Sequence, residues 1–317
     1  MRLLGHRDIV RLGVCGEVDM ACHRVTVFGG SGFLGRQIVK RLAEDGANVR
    51  VAVRRPERAS FLTETGRAGQ IAPVYADVWD EASVAPVVDG SDAVINTVGH
   101  YVERGKATFE AIHGQGAMHV ARASAMAGVG RLVHISGLGA DPTSDSTYVR
   151  ARGIGEDLVR EAFPGATILR PSVIFGPEDA FFNRLAALAR VMPVLPLFGS
   201  GKTKLQPVYV GDVAEAVARA LATPAAEGKV YELGGPRVYT YKALVQLVLT
   251  HIGRKCLLLP FPYFAWEVLA ALPNRPVSRD QVRLMKKDNV VSPQASTLVA
   301  LGIEPTPVEA ILPTYLG

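Results

Sequence analysis

A glycine-rich segment near residue 30 has the residue types and spacing that a nucleotide phosphate site requires. Gly29, Gly32 and Gly35 directly follow the β-branched and aromatic run Val25–Phe28. The first glycine permits a tight turn, the second lets the backbone approach a pyrophosphate, and the third lets a helix pack closely on a strand. A helix that begins here offers free N–H groups to the phosphates. A flexible loop is the alternative, but the position between a strand and a helix favours dinucleotide binding.

Two arginines indicate which dinucleotide the site takes. Arg54 and Arg55 follow a predicted second strand, Asn48–Val53, and stand about 20 residues after Gly35, where a site for NAD carries an acid for the ribose 2′-hydroxyl. Guanidinium groups bind phosphate through two parallel hydrogen bonds, so a basic pair here favours a 2′-phosphate. The sequence therefore predicts NADP(H). The alternative is a pair of exposed arginines at a strand end.

Segments typical of strands and helices alternate along the first half of the chain. This alternation predicts an α/β fold, a Rossmann-type doubly wound parallel sheet with its ligand at the carboxyl ends of the strands. The predicted strands are Val25–Phe28, Asn48–Val53, Ile71–Ala76, Ala93–Thr97, Arg131–Ile135 and Ala166–Arg170. The predicted helices after the glycine segment cover 81–88, 107–127 (broken by Gly114 and Gly116) and 147–162.

Beyond Gly176 prolines become frequent and the alternation ends, which predicts a smaller C-terminal subdomain over residues 176–317. The NADP(H)-binding domain is predicted over residues 24–175. Two later segments, 208–213 and 230–233, are expected to return to its sheet, so that 206–234 belongs with it.

The net charge and the composition limit the classes of partner that the chain is expected to bind. The 317 residues carry a formal net charge of +5, which favours anionic partners such as a dinucleotide, an acidic lipid surface or an acidic protein. The basic residues form no long run and no nucleic-acid motif accompanies them, so nucleic acid is not expected. The three cysteines have neither metal-ligand spacing nor a disulfide pattern, which favours a reducing compartment.

Residues 1–23 precede the first strand as a tail with three interpretations. Arg2, Arg7 and Arg11 among apolar residues are typical of a mitochondrial presequence, whereas Asp8 and the scarcity of serine argue against one. A start codon placed too early, with Met20 as the true first residue, is the second interpretation. A poorly ordered tail is the third.

Several longer phrases resemble the extended or atypical short-chain dehydrogenases/reductases, and among these the nucleotide-binding accessory subunit of respiratory complex I and its bacterial relatives. The resemblance runs from about Val25 to the C-terminus, the more specific phrases lying beyond the glycine segment. The phrases are His134–Pro142, Gly176–Arg184, Gln206–Val213 and Ser278–Asn289, with Asp77-Val78, Asn96–Gly99 and Arg170–Pro177 shared more widely.

The resemblance implies a catalytic set of a serine, a tyrosine and a lysine four residues later. Ser136 and Tyr148 match the first two positions, but Arg152 stands in place of the lysine. The resemblance also implies cofactor contacts along the strand ends. These residues are Gly29, Ser31, Gly32, Phe33, Leu34, Gly35, Arg54, Arg55, Asp77, Val78, Thr97, Val98, Gly99, Ser136, Tyr148, Arg152 and Pro171.

Arg152 separates two hypotheses about function. A guanidinium keeps the positive charge but is planar and bulkier than an ammonium, and a proton relay tolerates displacement poorly. The first hypothesis is therefore a complex I accessory or assembly subunit that holds NADP(H) without exchange and has little turnover. Ser136 and Tyr148 would then be vestigial. The subunit would lie peripherally on the cytoplasmic side of a bacterial inner membrane, or on the matrix side in mitochondria. The second is an active NADPH-dependent reductase or nucleotide-sugar epimerase.

The segment Cys256–Leu272 is the most apolar part of the second half. Pro260 and Pro262 break it and Glu267 interrupts it, so it is not predicted to span a bilayer. It is interpreted as core of the C-terminal subdomain. The alternative is a face that docks a partner or a membrane surface, which nearby basic residues would suit.

Overall fold

The structure is a computed structural model that describes residues 23–103, 105–272 and 277–316. The predictions for the tail before residue 23 lie outside the described residues. Among the described residues, no helix combines the length and apolarity needed to cross a membrane.

A seven-stranded, wholly parallel sheet forms the centre of the fold and confirms the predicted Rossmann-type architecture. Its strands are short apolar runs, as expected for strands that are covered on both faces. The strands are β1 (Arg24–Phe28), β2 (Asn48–Val53), β3 (Ile71–Tyr75), β4 (Ala93–Asn96), β5 (Arg131–Ile135), β6 (Thr167–Pro171) and β11 (Val230–Leu233), in the spatial order β11-β6-β5-β4-β1-β2-β3. The order reverses direction between β1 and β4, which places a crevice at their carboxyl ends.

Helices cover both faces of this sheet. On one face α1 (Phe33–Glu44) and α6 (Val210–Ala222) bury Ile38, Leu42 and Val217 in a single apolar cluster with β1 and β2. The other face is covered by α2 (Glu81–Val88), α3 (Gly116–Met126) and α4 (Thr147–Ala162), which pack over β4 and β5. Helical spacing of apolar residues gives α1 one buried stripe, whereas α6 buries most of its residues.

The helix predicted over 107–127 is continuous rather than broken at its glycines. It starts at Phe109, passes through a π-helical segment, Glu110–Gln115, and continues as α3. Gly114 and Gly116 therefore lie in or next to a widened turn instead of ending the helix. π-Helical turns of this kind occur mostly as single insertions and frequently at functional sites.

One of the two segments expected to return to the large sheet does not. Val208–Tyr209 forms β10, which pairs with β7 (Ile174–Phe175) in a separate two-stranded sheet, because the chain turns into α6 directly at Val210. The second segment, β11, does join the large sheet beside β6. The prediction is thus wrong for 208–213 as a strand of this sheet, although α6 packs against it.

The C-terminal part is built from short elements around its own apolar cluster. Phe175, Phe182 and Leu244 are fully buried there, and the carboxylate of Asp179 accepts a hydrogen bond from Tyr315 at 2.6 Å. The elements are α5 (Phe182–Val191), β8 (Val194–Phe198), β9 (Lys204–Leu205), β12 (Tyr239–Thr240), α7 (Tyr241–His251), β13 (Leu257–Phe261), α8 (Tyr263–Leu269), α9 (Arg279–Leu284), α10 (Val308–Ile311) and α11 (Pro313–Leu316), with 3₁₀ turns at Pro56–Thr65, Pro224–Ala226 and Leu298–Leu301. The domain boundary near residue 175 stays a prediction.

Candidate functional site

The glycine segment forms a tight turn between β1 and α1. Gly29 has a φ of 75°, in the left-handed region that favours glycine. A Cβ on Gly35 would lie 2.3 Å from the carbonyl oxygen of Gly29, so helix and strand could not approach as closely with any other residue. A Cβ on Gly32 would lie 3.2 Å from the same oxygen. Gly29 and Gly35 therefore have the turn and the close helix packing predicted from their spacing, and the approach of a pyrophosphate at Gly32 stays a prediction.

The amino terminus of α1 opens into the crevice. Gly32 is the N-cap, no side chain caps the helix, and its first turn contains no acidic residue. Its first N–H groups and the positive end of its dipole are therefore available to an anion. Ser31, Phe33 and Leu34 are half-buried around this turn, and Gly32 is exposed.

The predicted basic pair lies at the end of the neighbouring strand. Arg54 and Arg55 directly follow β2, which pairs with β1, and both side chains are exposed. Neither takes part in an ion pair with any residue that the structure describes. Two guanidinium groups thus stand next to the glycine turn without a carboxylate to neutralise them.

The polar residues after β3 and β4 line the same edge of the sheet. Thr97 Oγ1 donates to the carbonyl oxygen of Phe28 at 2.7 Å and so joins the loop after β4 to the end of β1. Asp77 Oδ1 accepts from the backbone N–H of Trp79 at 3.2 Å, and Val78 is buried against Gly116. Val98 is half-buried beside Thr97. Asp77 and Thr97 therefore stabilise the loops after β3 and β4, and Val78 belongs to the buried apolar cluster beneath them.

The predicted catalytic positions come together at the carboxyl ends of β5 and β6. Ser136 directly follows β5; its Oγ is buried and has no hydrogen-bond partner. Tyr148 lies in the first turn of α4, which Ser146 caps by accepting from the N–H of Val149 at 3.4 Å. Pro171 ends β6, and its carbonyl oxygen accepts from the N–H of Leu138 at 3.0 Å.

Arg152 is a buried cation without a carboxylate partner. Its side chain lies between the loops after β4 and β5: Cβ atoms placed on Gly99 and Gly137 would be 3.6 and 3.3 Å from its guanidinium nitrogens. Its Nε and Nη1 are buried without hydrogen-bond partners, and none of the ion pairs formed by the described residues includes it. A buried unpaired charge is costly. The guanidinium is therefore suited to a ligand that supplies acceptor oxygens.

The guanidinium of Arg152 packs over the ring of Tyr148. The guanidinium carbon lies 4.9 Å from the ring centroid, within the range of a cation–π interaction. Burial raises the pKa of Tyr148, although the positive charge of Arg152 acts in the opposite direction. At neutral pH Tyr148 is therefore protonated, and its hydroxyl is available to donate a hydrogen bond.

Histidines surround this pair, and sequence reasoning did not identify them. The ring centroid of His113, in the π-helical segment, lies 5.5 Å from that of Tyr148 in an edge-on arrangement. Burial and then the charge of Arg152 lower the pKa of His113 well below its ordinary value, and they lower the pKa of His134 to about 3. Burial also lowers the pKa of His100, which stacks on His113. All three are neutral at physiological pH, so Arg152 is the charged group of the cluster.

Gly155 explains how α4 brings Tyr148 and Arg152 against the π-helical segment. A Cβ on Gly155 would lie 1.8 Å from the carbonyl oxygen of His113. Only a glycine permits this approach, and it sets the distance between α4 and His113. The pair Gly153 and Gly155 was the available sequence signal, since glycines inside a helix usually have a packing reason.

The site thus fits a dinucleotide in three respects. The glycine turn and the α1 terminus suit a pyrophosphate, Arg54 and Arg55 suit an additional phosphate on the adenosine side, and Ser136 and Arg152 present unpaired polar atoms at the other end. The described residues contain no group of three or more histidine, cysteine or acidic side chains arranged to hold a metal.

Comparison with known proteins places these features in a family. Residues 25–234 match the model of the NAD dependent epimerase/dehydratase family. In an alignment of 323 positions the chain is 35% identical to NADH dehydrogenase (ubiquinone) 1 alpha subcomplex subunit 9, mitochondrial, from Arabidopsis thaliana, covering 95% of this chain and 79% of that protein. It is 33% identical over 200 residues to ceramide reductase from Caulobacter vibrioides, covering 63% of this chain and 61% of that one.

A solved structure supports the fold. The dTDP-glucose 4,6-dehydratase DesIV from Streptomyces venezuelae, solved with NAD bound, superposes with a TM-score of 0.71 at 20% identity. The superposition covers 92% of this chain and 95% of that one. At this identity the likeness establishes a shared fold, which agrees with the strand order described above.

Proposed function

Because the chain belongs to the NAD dependent epimerase/dehydratase family, we propose that it is an NADP(H)-binding accessory subunit associated with respiratory complex I, with little or no turnover. The bound nucleotide stabilises the Rossmann domain by mass action, since a ligand that binds only the folded state shifts the folding equilibrium. Three parts of this proposal need support: the choice of nucleotide, the weak catalysis and the partner.

The choice of NADP(H) is supported by Arg54 and Arg55. Both are exposed at the end of β2, beside the glycine turn, where an NAD site would carry an acid. Bidentate hydrogen bonds from arginine to phosphate are among the strongest that proteins make. The 2′-phosphate of NADP(H) would occupy this position.

The weak catalysis is supported by one observation, the placement of Arg152. Its guanidinium lies on the ring of Tyr148, and burial raises the pKa of that tyrosine. A working proton relay requires a tyrosine pKa closer to neutrality. Arg152 would instead donate to ribose hydroxyl oxygens of the bound nucleotide, which gives its buried N–H groups acceptors.

The partner is inferred from similarity along nearly the whole chain to a protein named as a subunit of NADH dehydrogenase (ubiquinone). By the same inference, the protein acts on the cytoplasmic side of a bacterial inner membrane, or on the matrix side in mitochondria. NADP(H) held without exchange would then serve structure rather than reduction.

The test is purification from native membranes under mild detergent, followed by native electrophoresis and mass spectrometry of bound nucleotide and associated proteins. We expect about one NADP(H) per chain, resistant to dialysis, and comigration with complex I. Migration only as a free protein would contradict the partner. Protein that carries NAD, or no nucleotide, would contradict the ligand.

A second function, an active NADPH-dependent reductase, is favoured by the retention of Ser136 and Tyr148. Ser136 Oγ is buried without a partner and is therefore available to orient a substrate oxygen. The similarity to a ceramide reductase suggests long-chain carbonyl compounds as the first substrates to screen. NADPH oxidation that Tyr148→Phe abolishes, with nucleotide binding intact, would favour this function over the first.

A further inference from the structure

The C-terminal part has an exposed apolar surface, which we call the apolar face. It is formed by the end of α5, by one side of β13, by α8 and by Leu272, three residues beyond the end of α8. Side chains that would normally be covered are open there: Phe264 is 70% exposed and Val191 is 76% exposed. Its members are Leu188, Val191, Met192, Leu257, Leu259, Phe264, Val268 and Leu272.

The apolar face is continuous because its elements are joined directly. The backbone N–H of Leu257 donates to the carbonyl oxygen of Pro193 at 2.9 Å, and Cys256 Sγ lies 3.2 Å from the carbonyl oxygen of Met192. These contacts hold the end of α5 beside the start of β13. At the other end of β13, Trp266 stacks on Phe198 with 4.4 Å between ring centroids, which holds α8 over the end of β8.

The pleat of the two-stranded sheet explains why apolar residues point outward. Leu257 pairs with Val194, Leu259 with Pro196 and Phe261 with Phe198, so one face of this sheet consists of these six residues. Trp266 covers the last pair, which leaves the other four residues as the open part of the face. Leu258 and Leu195, on the opposite face, contribute to the apolar cluster beneath. The sheet is therefore apolar on both faces, whereas a sheet with one solvated face normally alternates with polar residues.

The two segments that carry the apolar face are rich in positive charge. They are residues 182–205 and 241–272, and they contain seven lysines and arginines and one carboxylate, Glu267, which pairs with Lys286. All seven cations are exposed: Arg184, Arg190, Lys202, Lys204, Lys242, Arg254 and Lys255. The two segments together have a formal net charge of +6, against +5 for the whole chain.

A basic groove lies at the edge of the apolar face, where β13 begins, and is lined on the side of the sheet to which Leu258 belongs. It has a volume of about 690 Å³ and runs beside the start of β13, between α7 and the turn that follows α7. Lys242, Arg254 and Lys255 line it together with Leu258, and no acidic residue lines it. Its size and charge suit phosphate-bearing groups, and its position suits groups that lie at the edge of the apolar face.

From this arrangement we propose that the apolar face is a docking surface for an anionic lipid bilayer. Leu257, Leu259 and Phe264 enter the boundary between headgroups and acyl chains, and the groove with Arg254 and Lys255 takes anionic headgroup phosphates. Apolar side chains on one side with cations around them are the combination that binds peripheral proteins to anionic membranes. The proposal is independent of the bound nucleotide and of catalysis.

The test is flotation of the purified full-length protein with vesicles of phosphatidylcholine alone or of phosphatidylcholine mixed with phosphatidylglycerol, whose negative charge supplies a surface potential that attracts basic residues. We expect binding to the anionic vesicles and little to the neutral ones. Raised salt should weaken it, because counterions screen the headgroups. Equal binding to both kinds of vesicle, or to neither, would overturn the proposal.

Two double variants with matched controls locate the surface. Arg254→Glu/Lys255→Glu and Phe264→Ser/Val268→Ser should each reduce binding by about tenfold or more. The controls Arg67→Glu/Lys229→Glu and Met126→Ser/Val299→Ser change equally exposed residues elsewhere and should bind like the parent. Loss of binding in the controls to the same extent would overturn the assignment. Melting temperature and nucleotide content establish that each variant is folded.

Two further outcomes would show that the apolar face binds a protein instead of a lipid bilayer. If Phe264→Ser/Val268→Ser binds vesicles like the parent but abolishes a concentration-dependent dimer, a second copy covers the face. If it binds vesicles normally but no longer comigrates with complex I, another subunit does. Either result would overturn the lipid proposal while leaving nucleotide binding unaffected.

Discussion

The guanidinium carbon of Arg152 lies 4.9 Å from the centre of the Tyr148 ring, one helical turn further along α4. Burial forces the two groups together, because the loops after β4 and β5 enclose the arginine on both sides. A lysine ammonium at this position would be a compact point charge on a flexible stem and would not spread over the ring. The substitution therefore changes the geometry of the pair while the charge is preserved.

The first prediction concerns Arg152→Lys. Because displacement of a catalytic group by about 1 Å costs roughly a hundredfold in rate, restoring a compact ammonium should raise NADPH oxidation with carbonyl substrates by about tenfold or more. Absorbance at the nicotinamide band measures this rate. Adding Tyr148→Phe to the lysine variant should abolish the gain. A parent protein that turns over faster than the lysine variant would show that Arg152 itself supports catalysis.

The second prediction concerns acid stability. The pKa of His134 is about 3 in the folded protein, whereas an exposed histidine, as in the unfolded chain, has a pKa of 6.5. Between these two pH values the unfolded chain therefore binds a proton that the folded chain does not. The free energy of unfolding should therefore fall as pH decreases from about 6.5 towards 3, by up to about 1.4 kcal/mol per pH unit for this residue. Urea unfolding at several pH values measures the slope.

His134→Gln should flatten that slope, because the amide does not titrate and can still lie near Asn96, whose Nδ2 is 3.4 Å from His134 Nδ1. His251→Gln, at a half-buried position on α7, is the control for loss of a histidine. An unchanged slope in His134→Gln would assign the acid sensitivity to other groups. His113, whose pKa is lowered in the same direction, would be the next residue to replace.

The third prediction concerns the packing of α4. Gly155→Ala places a methyl group where the carbonyl oxygen of His113 stands, 1.8 Å away, so the two helical segments must separate. Such overpacking should destabilise the protein by about 3 kcal/mol or prevent folding. Gly114→Ala, in the same π-helical segment, is the control: its Cβ would meet only Glu110 Cγ, at 3.8 Å. Thermal unfolding of both variants measures the difference, and equal melting temperatures would contradict the close approach.

The fourth prediction concerns nucleotide choice. Arg54→Glu should weaken retention of NADPH by about tenfold or more and shift bound nucleotide towards NADH, because a carboxylate repels a 2′-phosphate and accepts from ribose hydroxyls. Mass spectrometry of nucleotide released from purified protein measures this. Arg67→Glu, an exposed position after the 3₁₀ turn, is the charge-matched control. An unaltered nucleotide in Arg54→Glu would exclude this side chain as the phosphate contact, and Arg55→Glu would then be tested.

The sheet could be predicted from sequence because each strand is a short apolar run that is followed by a turn or a polar residue. The prediction was wrong at Val208–Tyr209, whose apolar alternation is equally strand-like. Only tertiary pairing with Ile174–Phe175 decides which sheet takes it. Sequence patterns specify that a segment is a strand more reliably than they specify its neighbour.

The site could be predicted only where residues close together in the sequence define it. The glycine turn and Arg54 are specified by their spacing along one stretch. The histidine cluster, in contrast, depends on α4 and the π-helical segment, about 40 residues apart, packing through Gly155. The low pKa values of His113 and His134 follow from burial beside Arg152, which no pattern in the sequence reports.

The widened turn at Glu110–Gln115 has a consequence for comparing this chain with its relatives. Successive residues of an α-helix are rotated by about 100°, so one additional residue in a turn reorients everything before it relative to everything after it. A relative that lacks one residue of this segment would turn its counterpart of His113 away from the tyrosine, even if all its other residues were identical. Helix length, rather than residue identity, would then distinguish the members that keep the histidine against the ring.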